Sequence, residues 1–174
     1  MEERALREYL NDHLAGSLFG ERTARHVLDR GGEPALREFL QRFLVELGED
    51  RAVLRQVMSA LRAPMNPTKW VGAWATELAK RLKVNRLGFR YTPASRFVDL
   101  EALRLGVEGK LSLWRTLDAL SGRDARLAPF DFKALAARTE QQSAALERSR
   151  LAAALEAFQP ATASPAASRR QAEA

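Results

Sequence analysis

Residues 92–122, TPASRFVDLEALRLGVEGKLSLWRTLDALSG, decide the fold because they read as one long helix that is apolar on two sides. Thr92 suits the N-cap, Pro93 the first helical position and Gly122 the position just past the end. At about 100° per residue the apolar residues form two roughly opposite faces. The first face carries Phe97, Leu100, Leu103, Val107, Leu111, Trp114 and Leu117, and the second carries Val98, Ala102, Leu105, Gly106, Gly109, Leu113 and Leu120. A helix apolar on two sides needs cover on two sides, so we expect this to be the central helix.

The charged residues of this helix lie mostly in a narrow strip between the two faces. Glu101, Arg104 and Glu108 follow one another at helical spacing, which predicts a ladder of ion pairs along the border of the core. The alternative is that Glu108 turns inward towards the first helix. The strip therefore separates two packing surfaces rather than marking a reaction centre.

Length and composition predict one domain with a real core. The chain has 174 residues and no cysteine, which excludes disulfides and thiolate metal sites. We expect a helical domain over 1–158 and a disordered tail, rich in Ala, Ser and Pro, over 159–174. Neither a secretory signal nor a membrane span is evident, so a cytoplasmic location is expected.

Four further segments complete an all-α prediction. They are a first helix over 3–30, a second over 34–62, a short one over 67–84 and a last one over 130–158. The Gly31-Gly32 pair ends the first helix and makes the first two helices an antiparallel hairpin. The order of elements therefore predicts two antiparallel hairpins joined by a crossover that contains the short helix.

This layout resembles the ferritin-like four-helix bundle, whose two antiparallel pairs are joined by a long crossover. YLNDHLAG at 9–16 and LGVEGKLSLWR at 105–115 are similar to an uncharacterised bacterial family of such bundles. The metal-binding members carry a Glu on two helices and Glu-x-x-His on the other two. Here the only histidines, His13 and His26, both lie on the first helix, and no Glu-x-x-His occurs. The resemblance therefore implies the fold without the di-iron ligand set, and no metal or cofactor is predicted.

His13 and Asp50 interrupt the apolar stripes of the first two helices. The hairpin turns near Gly31, which brings the two residues to the same height. A buried carboxylate needs a partner, so a His13–Asp50 hydrogen bond is predicted, shared with Glu46 or Glu108. The functional alternative is a ligand or proton site in the centre of the bundle.

Gly106 and Gly109 leave a smooth patch on the second face of the central helix. Water would penalise the surrounding aliphatic surface, so both glycines are expected to lie against another helix. That helix belongs either to the same chain or to the second subunit of a homodimer. Both readings stay open at this stage.

A basic segment precedes the central helix. Seven basic residues and one acidic residue lie between Lys69 and Arg96. Core packing of the tryptophans with a solvated basic rim, a membrane-surface helix over 67–91, and contact with nucleic-acid phosphates are three readings. No reader motif supports sequence-specific nucleic-acid binding. The residues concerned are Trp70, Trp74, Lys80, Lys83, Arg86 and Arg90.

No motif in the chain specifies a reaction. Nucleophile–base pairs, glycine-rich phosphate loops and zinc spacings are absent, and no small-molecule substrate is identified. We therefore expect a non-catalytic protein with a structural or protein-interaction role. The alternatives are a degenerate ferritin-like oxidoreductase that binds a metal and a peripheral membrane protein that uses the basic segment.

Overall fold

The computed structural model describes residues 3–65 and 91–159, and these residues are helical with no strand. Within these ranges lie the four α-helices α1 (Glu3–Asp29), α2 (Pro34–Ala60), α3 (Pro93–Ser121) and α4 (Phe132–Phe158). A single 3-10 turn, Ala125–Leu127, lies between α3 and α4. The all-α prediction is confirmed for the described part of the chain. The predicted short helix at 67–84 and nearly all of the predicted tail lie outside it.

The helix ends follow the local sequence signals. Thr92 Oγ1 accepts a hydrogen bond from the Ser95 backbone N–H at 3.2 Å, as an N-cap should. Gly31 and Gly32 have φ angles of +82° and +155°, which favour glycine and end α1. The last helix begins later than predicted, because the Asp131 carboxylate caps it by accepting from the Ala134 N–H at 2.9 Å.

The helices form two antiparallel pairs, α1 with α2 and α3 with α4. α1 also packs against α3 in the antiparallel sense, joined by Tyr9 and Thr116 near one end and by His26 and Asp99 near the other. α2 and α3 therefore run in the same direction. The C-terminal end of α2 and the N-terminal end of α3 thus lie at opposite ends of the bundle.

The core divides into two clusters of buried apolar residues. The first lies around the N-terminal half of α1 and consists of Leu10, Leu14, Leu54, Val57, Met58, Leu61, Ala63, Leu113, Trp114, Leu117, Leu127 and Phe132. The second lies towards the other end and consists of Ala24, Val27, Leu36, Phe39, Leu40, Phe43, Leu47, Leu100, Leu103, Val107, Leu146 and Ala153. Both clusters include α3, which agrees with its predicted central position.

The two faces of α3 are covered unequally. Leu100, Leu103 and Leu117 on the first face are fully or almost fully buried. On the second face Leu105 is 58 % exposed and Gly106 is exposed as well. The described chain thus covers most of one side of α3 and leaves the other side partly open.

Candidate functional site

A cavity of about 700 Å³ lies between α1, α2 and α3, where the two core clusters meet. Its walls are largely aliphatic and aromatic. The apolar side chains include Phe43, Leu47 and Leu54 from α2 and Leu103, Val107 and Leu113 from α3. Exposed Asp12 and Leu105 also line it, so the cavity reaches the surface of the described chain. Its volume is within the range of pockets that hold small molecules, roughly 300–1,000 Å³.

Glycines keep this space free of side chains. Gly16 and Gly20 on α1 line the cavity, as do Gly106 and Gly109 on α3. A Cβ added at Gly16 or Gly106 would meet nothing within 4 Å in the described chain, and one added at Gly20 would meet a Leu47 methyl at 3.9 Å. These glycines therefore line open space, whereas close helix packing would leave no room for a Cβ.

The two α3 glycines have different surroundings. A Cβ at Gly109 would lie 4.0 Å from His13 Cε1, so this residue faces α1. Gly106 has no such neighbour among the described residues and is exposed. The predicted homodimer interface at Gly106 and Gly109 stays a prediction.

A charged network crosses the bundle beside the cavity. Asp50 is 2 % exposed, and its two carboxylate oxygens accept hydrogen bonds from Lys110, at 2.5 Å, and from Arg138. Lys110 also donates to Gln142 Oε1 at 2.6 Å, and Gln142 donates to Glu46 at 2.6 Å. Burial lowers the pKa of Lys110 and the Asp50 carboxylate opposes that shift. The network links α2, α3 and α4 by charge-assisted bonds.

His13 lies in the cavity wall, half-buried and outside this network. Its ring stands edge-on to Tyr9, with 4.5 Å between the ring centroids. Within residues 3–65 and 91–159 it has neither a hydrogen bond nor an ion pair. Burial lowers the pKa of His13 from its ordinary 6.5 to about 4, so the imidazole is neutral at pH 7.

The predicted His13–Asp50 hydrogen bond is therefore wrong. Both residues line the same cavity, as their positions in the hairpin required. Asp50 instead bonds Lys110 and Arg138, because two full positive charges stabilise a buried carboxylate better than a neutral imidazole does.

The two other predicted polar residues do not contact His13 either. Glu46 accepts from Gln142 within the network. Glu108 accepts from Ser143 Oγ at 2.5 Å and lies 3.7 Å from Arg104, so it faces α4. Of the predicted pairs along α3, Arg104–Glu108 is present, whereas Glu101 pairs with Arg150 on α4. A ladder of ion pairs also joins α3 to α4. Its rungs are Arg104–Glu147 at 3.0 Å, Arg115–Glu140 at 2.7 Å and Arg150–Glu101 at 3.8 Å.

Sequence reasoning missed Lys110 and Arg138, the partners of Asp50. The sequence signal that could have identified them is their helical spacing from residues of the apolar stripes. Lys110 is three residues after Val107 and four before Trp114, so it lies on the buried face of α3. Arg138 stands in the same relation to Leu135 and Gln142 on α4. A cation on a buried stripe opposite a buried carboxylate predicts an interior ion pair.

The donor set of the described residues does not suit a metal ion. No group of three or more His, Asp or Glu side chains converges within residues 3–65 and 91–159. The most deeply buried carboxylate of the described residues, that of Asp50, has both oxygens engaged by cations. Lys110 supplies at the bundle centre the positive charge that a metal would supply.

The predicted membrane or partner residues Trp70, Trp74, Lys80, Lys83, Arg86 and Arg90 lie outside the described residues. No helix within the described ranges has the length and apolar character needed to span a membrane. The membrane-surface reading of the basic segment stays a prediction.

Comparisons with protein-family models, with curated proteins and with solved structures find no match to this chain. The ferritin-like resemblance therefore stays a prediction, and the argument for function rests on the geometry of the bundle.

Proposed function

We propose that this protein is a non-catalytic helical bundle that binds an apolar guest molecule, and that the cavity between α1, α2 and α3 is the binding site. The observation that carries the proposal is the apolar space of about 700 Å³ that glycines keep open inside the bundle. Each glycine in a helix interior costs roughly 1 kcal/mol relative to alanine. A guest molecule in that space would recover the lost packing.

The polar side chains of the cavity wall are mostly paired with other protein groups, and this supports a binding role over a catalytic one. Asp50 and Lys110 bind each other, and Arg51 binds Ser17 and Glu21. Ser17 Oγ is already engaged by Arg51 and the Leu14 carbonyl. No nucleophile–base pair therefore stands in the cavity wall formed by the described residues.

We also propose the ferritin-like layout for the bundle, in the form without a di-iron site. Two antiparallel pairs support it, together with the common direction of α2 and α3, which places the end of α2 and the start of α3 at opposite ends of the bundle. Experimental structure determination of the full chain tests it, because it shows how the chain connects α2 to α3.

A fluorescent hydrocarbon tests the binding proposal. Diphenylhexatriene has no polar group and becomes fluorescent in apolar surroundings, so it reports an apolar site alone. We expect saturable binding by the wild type and loss of binding in a Gly16→Leu and Gly106→Leu double variant, whose new side chains fill the cavity. The double variant should stay at least as stable, because leucine favours helix over glycine.

Gly48→Leu is the matched control. Gly48 is exposed on α2, does not line the cavity and has no neighbour within 4 Å. The same substitution there should leave probe binding unchanged. Absence of saturable probe binding by the wild type would overturn the proposal.

A further inference from the structure

The charge distribution of the cavity wall limits the guest. Arg51 donates to Glu21 at 2.5 Å and Lys110 to Asp50 at 2.5 Å, so both cations of the wall are neutralised by the protein. Asp12 is exposed and keeps its contact with solvent. A charged head group entering the cavity would have to break one of these pairs or remain without a partner, and both are costly. The wall therefore suits an uncharged guest.

Two side chains of the wall, His13 and Trp114, carry nitrogen atoms without a hydrogen-bond partner among the described residues, and of these Trp114 Nε1 is buried. The His13 imidazole lines the cavity and has no hydrogen-bond partner among residues 3–65 and 91–159. Gly109 leaves room beside its Cε1, because that position has no side chain. A neutral imidazole has one donor and one acceptor nitrogen, and a hydroxyl group likewise donates and accepts. The chemistry of His13 therefore matches an alcohol.

We infer that the guest is an uncharged, largely apolar molecule with a single hydroxyl group, such as a long-chain alcohol, and that His13 binds this hydroxyl. The inference rests on the proposed function, since it names the class of molecule that the same cavity takes. The aliphatic walls hold the hydrocarbon part, contributed by Leu47 and Leu54 on α2 and Val107 on α3. His13 lies beside them and fixes the orientation of the chain.

A series of ligands with one chain and different head groups tests this inference. Dodecanol, dodecanoate and dodecylammonium would each be titrated against protein loaded with diphenylhexatriene. We expect dodecanol to displace the probe at a concentration at least about tenfold lower than either ion, because the ions lose hydration without gaining a partner. Equal or tighter binding of an ion would overturn the inference.

His13 variants locate the hydroxyl. In His13→Leu the affinity for dodecanol should fall about tenfold, the effect of one lost hydrogen bond, while diphenylhexatriene binding stays unchanged. His13→Gln, which keeps a donor and an acceptor, should recover most of the affinity. Unchanged dodecanol binding in His13→Leu would overturn the role of His13.

The two histidines of the chain also permit a direct spectroscopic test. In protein labelled at histidine, dodecanol should shift the imidazole signals of His13 and leave those of His26 in place, since His26 lies by Tyr91 at the other end of α1. Shifts confined to His26 would overturn the inference. If the hydrocarbon probe binds and all three head groups compete equally, only the inference fails; if the probe does not bind, the proposed function fails as well.

Discussion

The two sides of α3 differ in how the neighbouring helix meets them. Towards α4 the helix is closely packed, with buried Trp114 stacked on Phe132 and a ladder of ion pairs outside them. Towards α1 it presents Gly106 and Gly109 to a cavity. One helix thus serves as a rigid support on one side and as the wall of a site on the other. A binding site in a bundle can arise from missing side chains on an otherwise well-packed element.

The largest loss of stability is expected on substitution of Asp50, which joins α2 to α3 and α4 through its ion pairs. Asp50→Ala leaves the largely buried Lys110 without its carboxylate and removes one of the two carboxylates that Arg138 binds, so the free energy of unfolding should fall by about 3–5 kcal/mol. Urea denaturation measures it. Glu49→Ala is the control, because Glu49 also binds Arg138 at 2.7 Å but is exposed, and should cost less than about 1 kcal/mol. Similar losses in both variants would contradict the assignment.

Leucine truncation compares the two sides of the bundle directly. Leu146 on α4 is fully buried, so Leu146→Ala should lower the free energy of unfolding by about 2–5 kcal/mol. Leu105 at the rim of the cavity is 58 % exposed, and Leu105→Ala should change it by less than about 0.5 kcal/mol. A large loss at Leu105 in denaturation curves would mean that other residues of the chain cover this rim.

The cavity side should respond to acid through His13. Its pKa is about 4 in the folded protein, against 6.5 ordinarily, so between these values the unfolded chain binds a proton that the folded protein does not. The contribution of His13 to stability is therefore complete above about pH 6.5 and lost as the pH falls towards 4. We expect a loss of up to about 2–3 kcal/mol, since the residue is half-buried.

The pH dependence needs a reference, because other ionisable groups face the same cavity. Tyr9 and Asp12 come from α1, Asp50 and Arg51 from α2, and Lys110 from α3. Burial, and after it repulsion from Glu8, raises the pKa of Asp12 in the folded protein. Proton uptake by Asp12 as the pH falls therefore stabilises the folded protein and opposes the effect of His13. The difference in the free energy of unfolding between the wild type and His13→Leu, measured at each pH, gives the contribution of His13 alone. A constant difference from pH 7 to pH 4 would contradict the prediction.

Local signals in the sequence predicted the helices well because they depend on near neighbours. Thr92, Gly31 and Gly32 act through their own backbone geometry, so their roles could be read directly. Asp50 was recognised as buried, but its partner was chosen from the adjacent helix α1. Its true partners lie on α3 and α4, and their choice depends on how the helices are rotated in the bundle.

The cavity could not be predicted for a related reason. Gly106 and Gly16 have the same local signature whether they allow helices to touch or keep a space open. Only the separation of α1 and α3 distinguishes the two, and that separation depends on the whole bundle. Hydrophobic periodicity identified the second face of α3 and gave no information on the distance to its neighbour.

The smallest expected effect concerns the ladder at the surface of the packed side. Arg115 and Glu140 form a 2.7 Å pair with side chains 62 % and 53 % exposed. A double-mutant cycle to alanine should give a coupling energy of roughly 0.2–1 kcal/mol that disappears at about 1 M salt, because water and ions screen exposed charges. The Lys110–Asp50 pair, only 11 % and 2 % exposed, should keep its coupling under the same conditions. If salt weakens both cycles equally, the network beside the cavity is open to water, and the dry apolar site that α3 is proposed to line does not exist.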